Sequence, residues 1–322
     1  MAGTPHLSIV ADIGGTNTRV AIAEGMRLRE GSIRRYRNAE FAGLETILRT
    51  YVTETGAACE GACVAAAGPV RDGVAEMTNL SWVIDGDQLH RATGARRVAI
   101  LNDLQAQGHA LGHIAPENLA TVIDGPDDPA AAKLVIGAGT GFNAAPVHET
   151  PWGRHVAASE CGHAGMPVRS ESDLRLARFV ETAHGFPGVE DVLAGRGLER
   201  LYAFTAAAAG HPAELTAAEI MAAIDRADPL ALETGRLYAR LLGGEVGNLA
   251  LIHLPFGGIY LCGGVARAFT AHLSAFGFAE AFRDKGRFSG FMGNFRVQVI
   301  EDDYAALIGC AAHLGQIARA DG

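Results

Sequence analysis

Twice along this chain, a short apolar segment runs straight into a glycine-rich turn and then into a second apolar segment. The first copy spans residues 9–22, with its turn at 14–18, and the second spans residues 134–147, with its turn at 137–141. Short apolar runs bounded by glycine clusters are typical of buried strands joined by tight turns. Each copy therefore predicts a strand, a turn and a second strand, and the repetition suggests two related lobes.

Strand and helix patterns alternate along the rest of the chain. Short apolar runs predict further strands or strand–turn segments at residues 62–66, 98–101, 257–264 and 297–300. Apolar residues at helical spacing predict helices at residues 40–51, 104–111, 173–183, 197–209, 217–223, 230–251, 265–275 and 303–318. This alternation predicts an α/β protein.

Composition narrows the function classes. The net charge of −9 argues against a nucleic-acid partner, because phosphate contacts need a basic face. No uncharged apolar run approaches the ~18 residues of a membrane helix, and the N-terminal residues lack a secretory signal pattern, so we expect no membrane partner. Glycine is high, at 41 of 322 residues against an average of roughly 7%. The few, scattered cysteines predict a reduced, cytoplasmic protein: Cys59, Cys63, Cys161, Cys262 and Cys310.

Both glycine turns suit a phosphate ligand. Consecutive backbone N–H groups in such a turn form a concavity for anions, and small side chains let a phosphate approach. Neither turn matches a Walker A loop or a dinucleotide-binding fingerprint, so a plain hairpin turn is the alternative for each. Asp12 precedes the first turn, where its carboxylate would hold Mg²⁺ through water, unless it only caps the strand end. The candidate phosphate-binding residues are Gly14, Gly15, Thr16, Asn17, Gly139, Thr140 and Gly141.

Asn102 and Asp103 follow the predicted strand at residues 98–101. Ligands of open α/β sheets bind beyond the carboxyl ends of the strands, where this pair is expected to lie. A carboxylate there can take a proton from a substrate hydroxyl as it attacks phosphorus, which makes Asp103 the candidate general base. The alternative is that one of the two residues only caps the following helix.

A second polar group follows the second glycine turn. Glu160 and His163 lie three residues apart in a glycine-containing turn, and Glu190 follows further along the chain. Two carboxylates and an imidazole suit a polyhydroxylated ligand, because each can bridge several hydroxyl groups. A metal site that includes Cys161 is conceivable, but there is no second cluster of Cys or His at zinc spacing.

Taken in order, these motifs resemble the proteobacterial-type glucokinase family, within the superfamily of hexokinase, actin and Hsp70-like ATPases. The resemblance covers nearly the whole chain. The matching segments are residues 12–19, 77–82, 101–103, 137–141, 160–163, 190–195, 261–265 and 282–288.

The resemblance implies a two-lobed actin-like (ribonuclease H-like) α/β fold with a central cleft. Residues 1–112 and 303–322 would form the small lobe, and residues 113–302 the large lobe. The implied activity is phosphorylation of the 6-hydroxyl of glucose by ATP with Mg²⁺, as the first step of glycolysis, in a homodimer. Asp103 would be the catalytic base, the two glycine turns would hold phosphates, and the adenosine would lie beside Gly263 and Gly264. The sugar hydroxyls would be held by Asn102, Glu160, His163 and Glu190.

The chain departs from the family pattern at three positions that bear on specificity. Ser159 and Cys161 flank Glu160 where the family usually has glycines, and Asn143 follows the second phosphate turn where the family has glycine. We expect Cys161 to alter the sugar pocket and Asn143 to alter the nucleotide side. Another hexose or an amino sugar as acceptor, ADP or polyphosphate as donor, and a sugar sensor without catalytic activity stay open as alternatives.

Overall fold

The computed structural model describes residues 7–77 and 80–320, which form two compact units. The first unit contains the chain up to Pro116, the segment Glu149–Ala158 and the residues from Asp302 onward. The second unit contains Glu117–His148 and Ser159–Glu301. Three segments of the predicted small lobe lie outside the described residues: residues 1–6, 78–79 and 321–322. Residues 78–79 belong to the 77–82 segment of the family resemblance.

The first unit is built on a six-stranded sheet. Along it, β3, β2, β1, β5 and β9 are neighbours in that order, and β4 also pairs with β2. β1 is antiparallel to β2 and parallel to β5, and β5 is parallel to β9, so the carboxyl ends of β1, β5 and β9 lie at one edge. The strands are β1 Leu7–Ile13, β2 Asn17–Glu24, β3 Arg27–Leu28, β4 Arg34–Arg37, β5 Gly61–Ala66, β6 Val70–Arg71, β7 Val74–Glu76, β8 Val83–Ile84 and β9 Arg97–Asn102.

Helices cover both faces of this sheet because successive strand residues point to opposite faces. Ile9 and Ile13 of β1 face a core with α1 and α2, whereas Val10 faces a core with α3 and α11. β6, β7 and β8 form a separate three-stranded sheet. The helices of the first unit are α1 Leu44–Thr55, α2 Gly86–Thr93, α3 Asp103–Ala110 and α11 Ala305–Ala320.

α3 and α11 pack so closely that their contact requires a glycine. A Cβ at Gly309 of α11 would lie 1.7 Å from the main-chain oxygen of Ala106 in α3. No side chain fits in that space, so the small residue sets the separation of the two helices.

The second unit is also built on a sheet with helices packed against it. β10, β15, β14, β11 and β12 are neighbours in that order, with β11 parallel to β14 and antiparallel to β12. Its core lies between this sheet and the helices that surround α8. The strands are β10 Leu119–Ile123, β11 Lys133–Ala138, β12 Phe142–Thr150, β14 Ile259–Cys262 and β15 Val297–Ile300, and β13 Gly153–Val156 lies in the segment assigned to the first unit. The helices are α4 Glu171–His184, α5 Glu190–Leu193, α6 Gly195–Ala208, α7 Ala217–Asp225, α8 Pro229–His253, α9 Gly264–Phe269 and α10 Phe278–Arg283.

The structure differs from the sequence analysis in several places. The helix predicted at residues 265–275 ends at Phe269, and a series of turns follows. Several short elements were not predicted: the strands β3, β4, β6, β7, β8, β10 and β13, and the helices α2, α5 and α10. Residues 149–158, predicted to belong to the large lobe, are part of the first unit, where the Arg154 guanidinium donates to the main-chain oxygens of Gly108 and His109.

None of the helices within residues 7–77 and 80–320 combines the length and the apolar character needed to cross a bilayer.

Candidate active site

The first glycine turn joins β1 to β2 and is held in a fixed shape. The Gly14 N–H donates to the main-chain oxygen of Asn17 at 3.0 Å, which closes the turn. Asn38, which is buried, donates from its side-chain amide to the Gly14 oxygen at 2.8 Å, and its own N–H donates to the Thr16 oxygen. Thr16 and its neighbour Gly15 are exposed at the tip. The turn is therefore rigid at its base and open to a ligand at its tip.

Asp12 and Asp103 lie at the same edge of the first sheet. Asp12 is level with Ala65 of β5, which is level with Leu101 of β9. Two strand spacings of about 4.8 Å separate β1 from β9, so the two carboxylates interact through space. Arg19 partly balances Asp12, with its Nη1 3.4 Å from a carboxylate oxygen.

Asn102 caps helix α3, as one alternative of the sequence analysis predicts. Its side-chain oxygen accepts the Leu104 N–H at 2.9 Å, and its main-chain N–H donates to the Gln105 side chain at 3.1 Å. Its amide nitrogen donates to the Gly68 oxygen at 3.0 Å. The Asn102 side chain also forms a hydrogen bond with the Asp103 carboxyl group, which acts to lower the Asp103 pKa.

Asp103 begins helix α3 and carries a perturbed carboxyl group. The pKa of this group is raised from the ordinary 3.8 to about 6, mainly by burial and to a smaller extent by the negative charge of Asp12. Hydrogen bonds from the Leu104 N–H and the Asn102 side chain act to lower it. A pKa near 6 leaves Asp103 ionised at neutral pH but able to accept a proton readily. This is the property that a general base needs.

The two glycine turns of the second unit lie beside each other. β11 and β14 are parallel, with Gly137 level with Cys262, so the turns that follow them emerge at one edge. Gly263 adopts a positive φ of 97°, and a Cβ there would lie 2.5 Å from the main-chain oxygen of Ala138. Gly139 is itself fixed, because its oxygen accepts the N–H of Gly195 at the start of α6. Thr140 and Gly264 are exposed at the tips of the two turns.

Glu190 anchors the second glycine turn. Its Oε2 accepts the N–H of Phe142 at 2.8 Å. The same oxygen lies 2.7 Å from the position that a Cβ would take at Gly141, so only glycine lets the carboxylate reach the turn. One carboxylate oxygen of Glu190 therefore holds the protein chain, and the other is left for a ligand.

Glu160 directly precedes a short 3-10 turn, Cys161–His163, and His163 ends this turn; both side chains are exposed. The two side chains are 67% and 70% exposed, and the His163 Nε2 lies 3.9 Å from a Glu160 oxygen. The turn packs tightly on β12, because a Cβ at Gly162 would lie 1.9 Å from the main-chain oxygen of Phe142. Within the second unit, Glu160 and Glu190 thus bind to neighbouring residues at the start of β12.

The described residues contain no group of three or more His, Cys, Asp or Glu side chains arranged to hold a metal ion. The side chains of Glu160, Cys161 and His163 therefore do not form such a group. Burial raises the pKa of the Cys161 thiol, which disfavours the thiolate that a metal would need.

Sequence reasoning missed two residues that shape these sites, Asn38 and Gln105, and missed the contact of a third, Asn143. Asn38 clamps the first glycine turn, Gln105 completes the cap of α3, and Asn143 contacts Glu160. The Gln105 contact could have been predicted from the sequence, since a glutamine three residues after an N-cap residue is a known capping signal. The other two contacts join residues far apart in the chain and leave no local pattern.

Comparisons with known proteins agree with this architecture. The glucokinase family model matches residues 9–317. A glucokinase of Marinobacter nauticus is 33% identical over 313 residues, covering 96% of this chain and 98% of the relative. A glucokinase of Caulobacter vibrioides is 33% identical over 320 residues, covering 98% and 97%.

Solved structures give the same result. A glucokinase from an Antarctic psychrotroph matches with a TM-score of 0.86 at 29% identity, covering 96% of this chain and 98% of that one. A ROK family glucokinase from Streptomyces griseus, in complex with glucose and AMPPNP, matches with a TM-score of 0.62 at 21% identity, covering 96% and 98%.

The fold is the two-lobed α/β fold of the actin-like ATPases, as the family resemblance implies. Within that class, the chain belongs to the glucokinase family.

Proposed function

We propose that this protein transfers the γ-phosphoryl group of ATP to the 6-hydroxyl of glucose, with Asp103 as the general base. The observation that carries the proposal is the carboxyl group of Asp103, fixed at the start of a capped helix and given a pKa of about 6. Glucose kinases of the same family match nearly the whole chain, and one structure of the same fold binds glucose and an ATP analogue.

The residues of the first unit would act on the reacting oxygen and the phosphates. Asp103 would accept the proton of the 6-hydroxyl as that oxygen attacks the γ-phosphorus, and Asn102 would hold a sugar hydroxyl through its side-chain amide. The turn at residues 14–17 would hold phosphate oxygens through the main-chain N–H groups at its exposed tip. Phosphoryl transfer needs positioning and charge neutralisation rather than a covalent side chain, which fits this set.

The residues of the second unit would bind the rest of the two substrates. Glu160, His163 and Glu190 would hold sugar hydroxyls, since each keeps a polar atom exposed or unused by the protein. The turn at residues 139–141 would hold phosphate, and Gly263 and Gly264 would border the adenosine. The contact of the two turns with each other supports a single nucleotide-binding surface on this unit.

Mg²⁺ belongs to the proposal, and the residues at the first sheet edge fit it. The Asp12 carboxylate raises the pKa of Asp103, so the two groups repel each other, and a divalent cation would relieve that repulsion. Asp12 would hold the ion through water, because Mg²⁺ keeps most of its water ligands and takes the rest from phosphates. When bound, the ion would neutralise charge on the phosphates.

The cellular setting is also part of the proposal. We expect a homodimer that acts in the cytoplasm, in the first step of glycolysis, as the family resemblance implies. All five cysteines are free, which fits a reducing compartment.

An ADP-release assay on the purified protein tests the proposed function. Glucose, mannose, fructose, glucosamine and N-acetylglucosamine would each be compared with a blank without sugar, with ATP, ADP or polyphosphate as donor. We expect rapid, Mg²⁺-dependent turnover with glucose and ATP, and the loss of nearly all turnover in Asp103→Asn. Turnover with another sugar only would change the substrate. Glucose binding by calorimetry without turnover of any sugar would make the protein a sensor.

A further inference from the structure

The three positions at which this chain departs from the family pattern contact one another. Asn143 lies at the start of β12, and Ser159 and Cys161 lie on either side of Glu160, 16 to 18 residues further along the chain. The Asn143 side-chain oxygen accepts the Cys161 N–H at 3.0 Å and the Ser159 hydroxyl at 3.2 Å. The departures are therefore one structural feature rather than three separate changes.

The nitrogen of the Asn143 side-chain amide binds the carboxylate of Glu160, which is predicted to bind the sugar. The Asn143 Nδ2 donates to Glu160 Oε2 at 2.9 Å. Among the described residues, this is the one hydrogen bond that the Glu160 carboxylate accepts, and His163 is further away, at 3.9 Å. Since the Glu160 side chain is 67% exposed, little else restricts its rotation.

We infer that Asn143 is a positioning residue for sugar binding, which holds Glu160 Oε2 so that Oε1 faces the hydroxyls of the sugar. This inference rests on the proposed function and assigns Asn143 to the sugar side of the site, whereas the sequence alone suggested the nucleotide side. A glycine at this position has no side chain and cannot make either contact. The amide thus supplies orientation that the residues around Glu160 otherwise lack.

A double-mutant cycle separates this role from a general effect on the fold. Asn143→Gly is expected to raise the Kd for glucose about five-fold, because it frees an exposed carboxylate from one charge-assisted hydrogen bond. KM for glucose should rise in parallel, and kcat should change less. In a Glu160→Ala background, Asn143→Gly should have no further effect, because the group on which it acts is gone.

A second variant tests the donor alone. Asn143→Asp keeps the oxygen that accepts from Ser159 and Cys161 but sets a carboxylate oxygen beside Glu160. Two adjacent carboxylates repel until one takes up a proton, so glucose affinity should be poor at alkaline pH and should recover as the pH falls. The recovery of glucose affinity in Asn143→Asp is compared with the pH dependence of Asn143→Gly. His163 and Glu190 are unchanged in both variants, so their contributions cancel.

The control is Asn294→Gly, which removes a side-chain hydrogen bond to the Phe291 oxygen in another loop of the same unit. It should leave the Kd for glucose unchanged. Equal losses from Asn143→Gly with and without Glu160 would overturn the inference, as would an Asn143→Asp protein that binds glucose like the wild type at every pH. If the wild-type protein fails to bind glucose, the proposed function fails instead.

Discussion

Replacing Asp103 by asparagine is expected to stop turnover and to stabilise the folded protein. Asp103 lies at the start of α3, where burial and the nearby charge of Asp12 raise its pKa to about 6. An asparagine has nearly the same shape, and its side-chain oxygen can still accept the Leu104 N–H that Asp103 accepts at 2.9 Å. The substitution therefore removes a charge and a proton acceptor but little packing.

The size of the stabilisation follows from the pKa. A rise from 3.8 to about 6 is roughly two units, and each unit corresponds to about 1.4 kcal/mol. The folded protein holds the Asp103 proton more tightly than the unfolded chain does. Asp103 therefore does not lower the free energy of unfolding when the pH is below its ordinary pKa. It lowers that free energy increasingly as the pH rises to about 6. At neutral pH, the ionised group lowers the free energy of unfolding by about 3 kcal/mol, which Asp103→Asn would recover.

Urea unfolding and the ADP-release assay measure the two effects on the same samples. We expect the free energy of unfolding to increase by about 3 kcal/mol at about pH 7.5 and to be nearly unchanged at about pH 4, where Asp103 is protonated. Turnover should fall by about 10²- to 10⁴-fold, the usual contribution of a general base. Asp72→Asn removes an exposed carboxylate and is the matched control, with no stabilisation at either pH. A gain in stability that is the same at both pH values would refute the electrostatic reasoning.

Two further predictions concern the pH dependence and the sugar-binding turn. The wild-type kcat/KM should fall as the pH drops through about 6, because the base must be ionised to act, and a profile flat from about pH 8 to 5 would argue against Asp103. Gly162→Ala should weaken glucose binding by more than about ten-fold, since its Cβ would lie 1.9 Å from the Phe142 oxygen and displace the turn that carries Glu160. Calorimetry with glucose measures this effect, and an unchanged affinity would show that the turn adapts.

Local patterns predicted much of the fold because strands and glycine turns leave local signals. Both strand–turn–strand units are present, as β1 with β2 and β11 with β12. The helix predicted at residues 265–275 was wrong beyond Phe269. Phe269, Leu273 and Phe276 have helical spacing and are buried, but the chain between them forms turns that mix three- and four-residue hydrogen bonds. The spacing of apolar residues indicates which side chains face the core. It does not show whether a regular helix or a series of turns brings them there.

The candidate site was predictable as a set of residues but not as a set of contacts. Asn102 and Asp103 were predicted to follow a strand, and they lie at the end of β9 and the start of α3. The bond from Asn143 to Glu160 joins residues 17 apart that belong to different elements. A single sequence contains no local pattern for such a contact, so the sequence analysis placed Asn143 on the nucleotide side without knowledge of this bond.

The segment Glu149–Ala158 shows why the division of the chain into units also escaped local patterns. Its Arg154 donates to main-chain oxygens at the end of α3, and its Val156 oxygen accepts from Gln105, whose side chain also caps the start of α3. The segment therefore braces both ends of the helix that begins with Asp103. Asp103 is the first residue of α3, so the position of its carboxyl group depends on the position of this helix. On this reasoning, the chain returns to the first unit in order to fix the proposed general base.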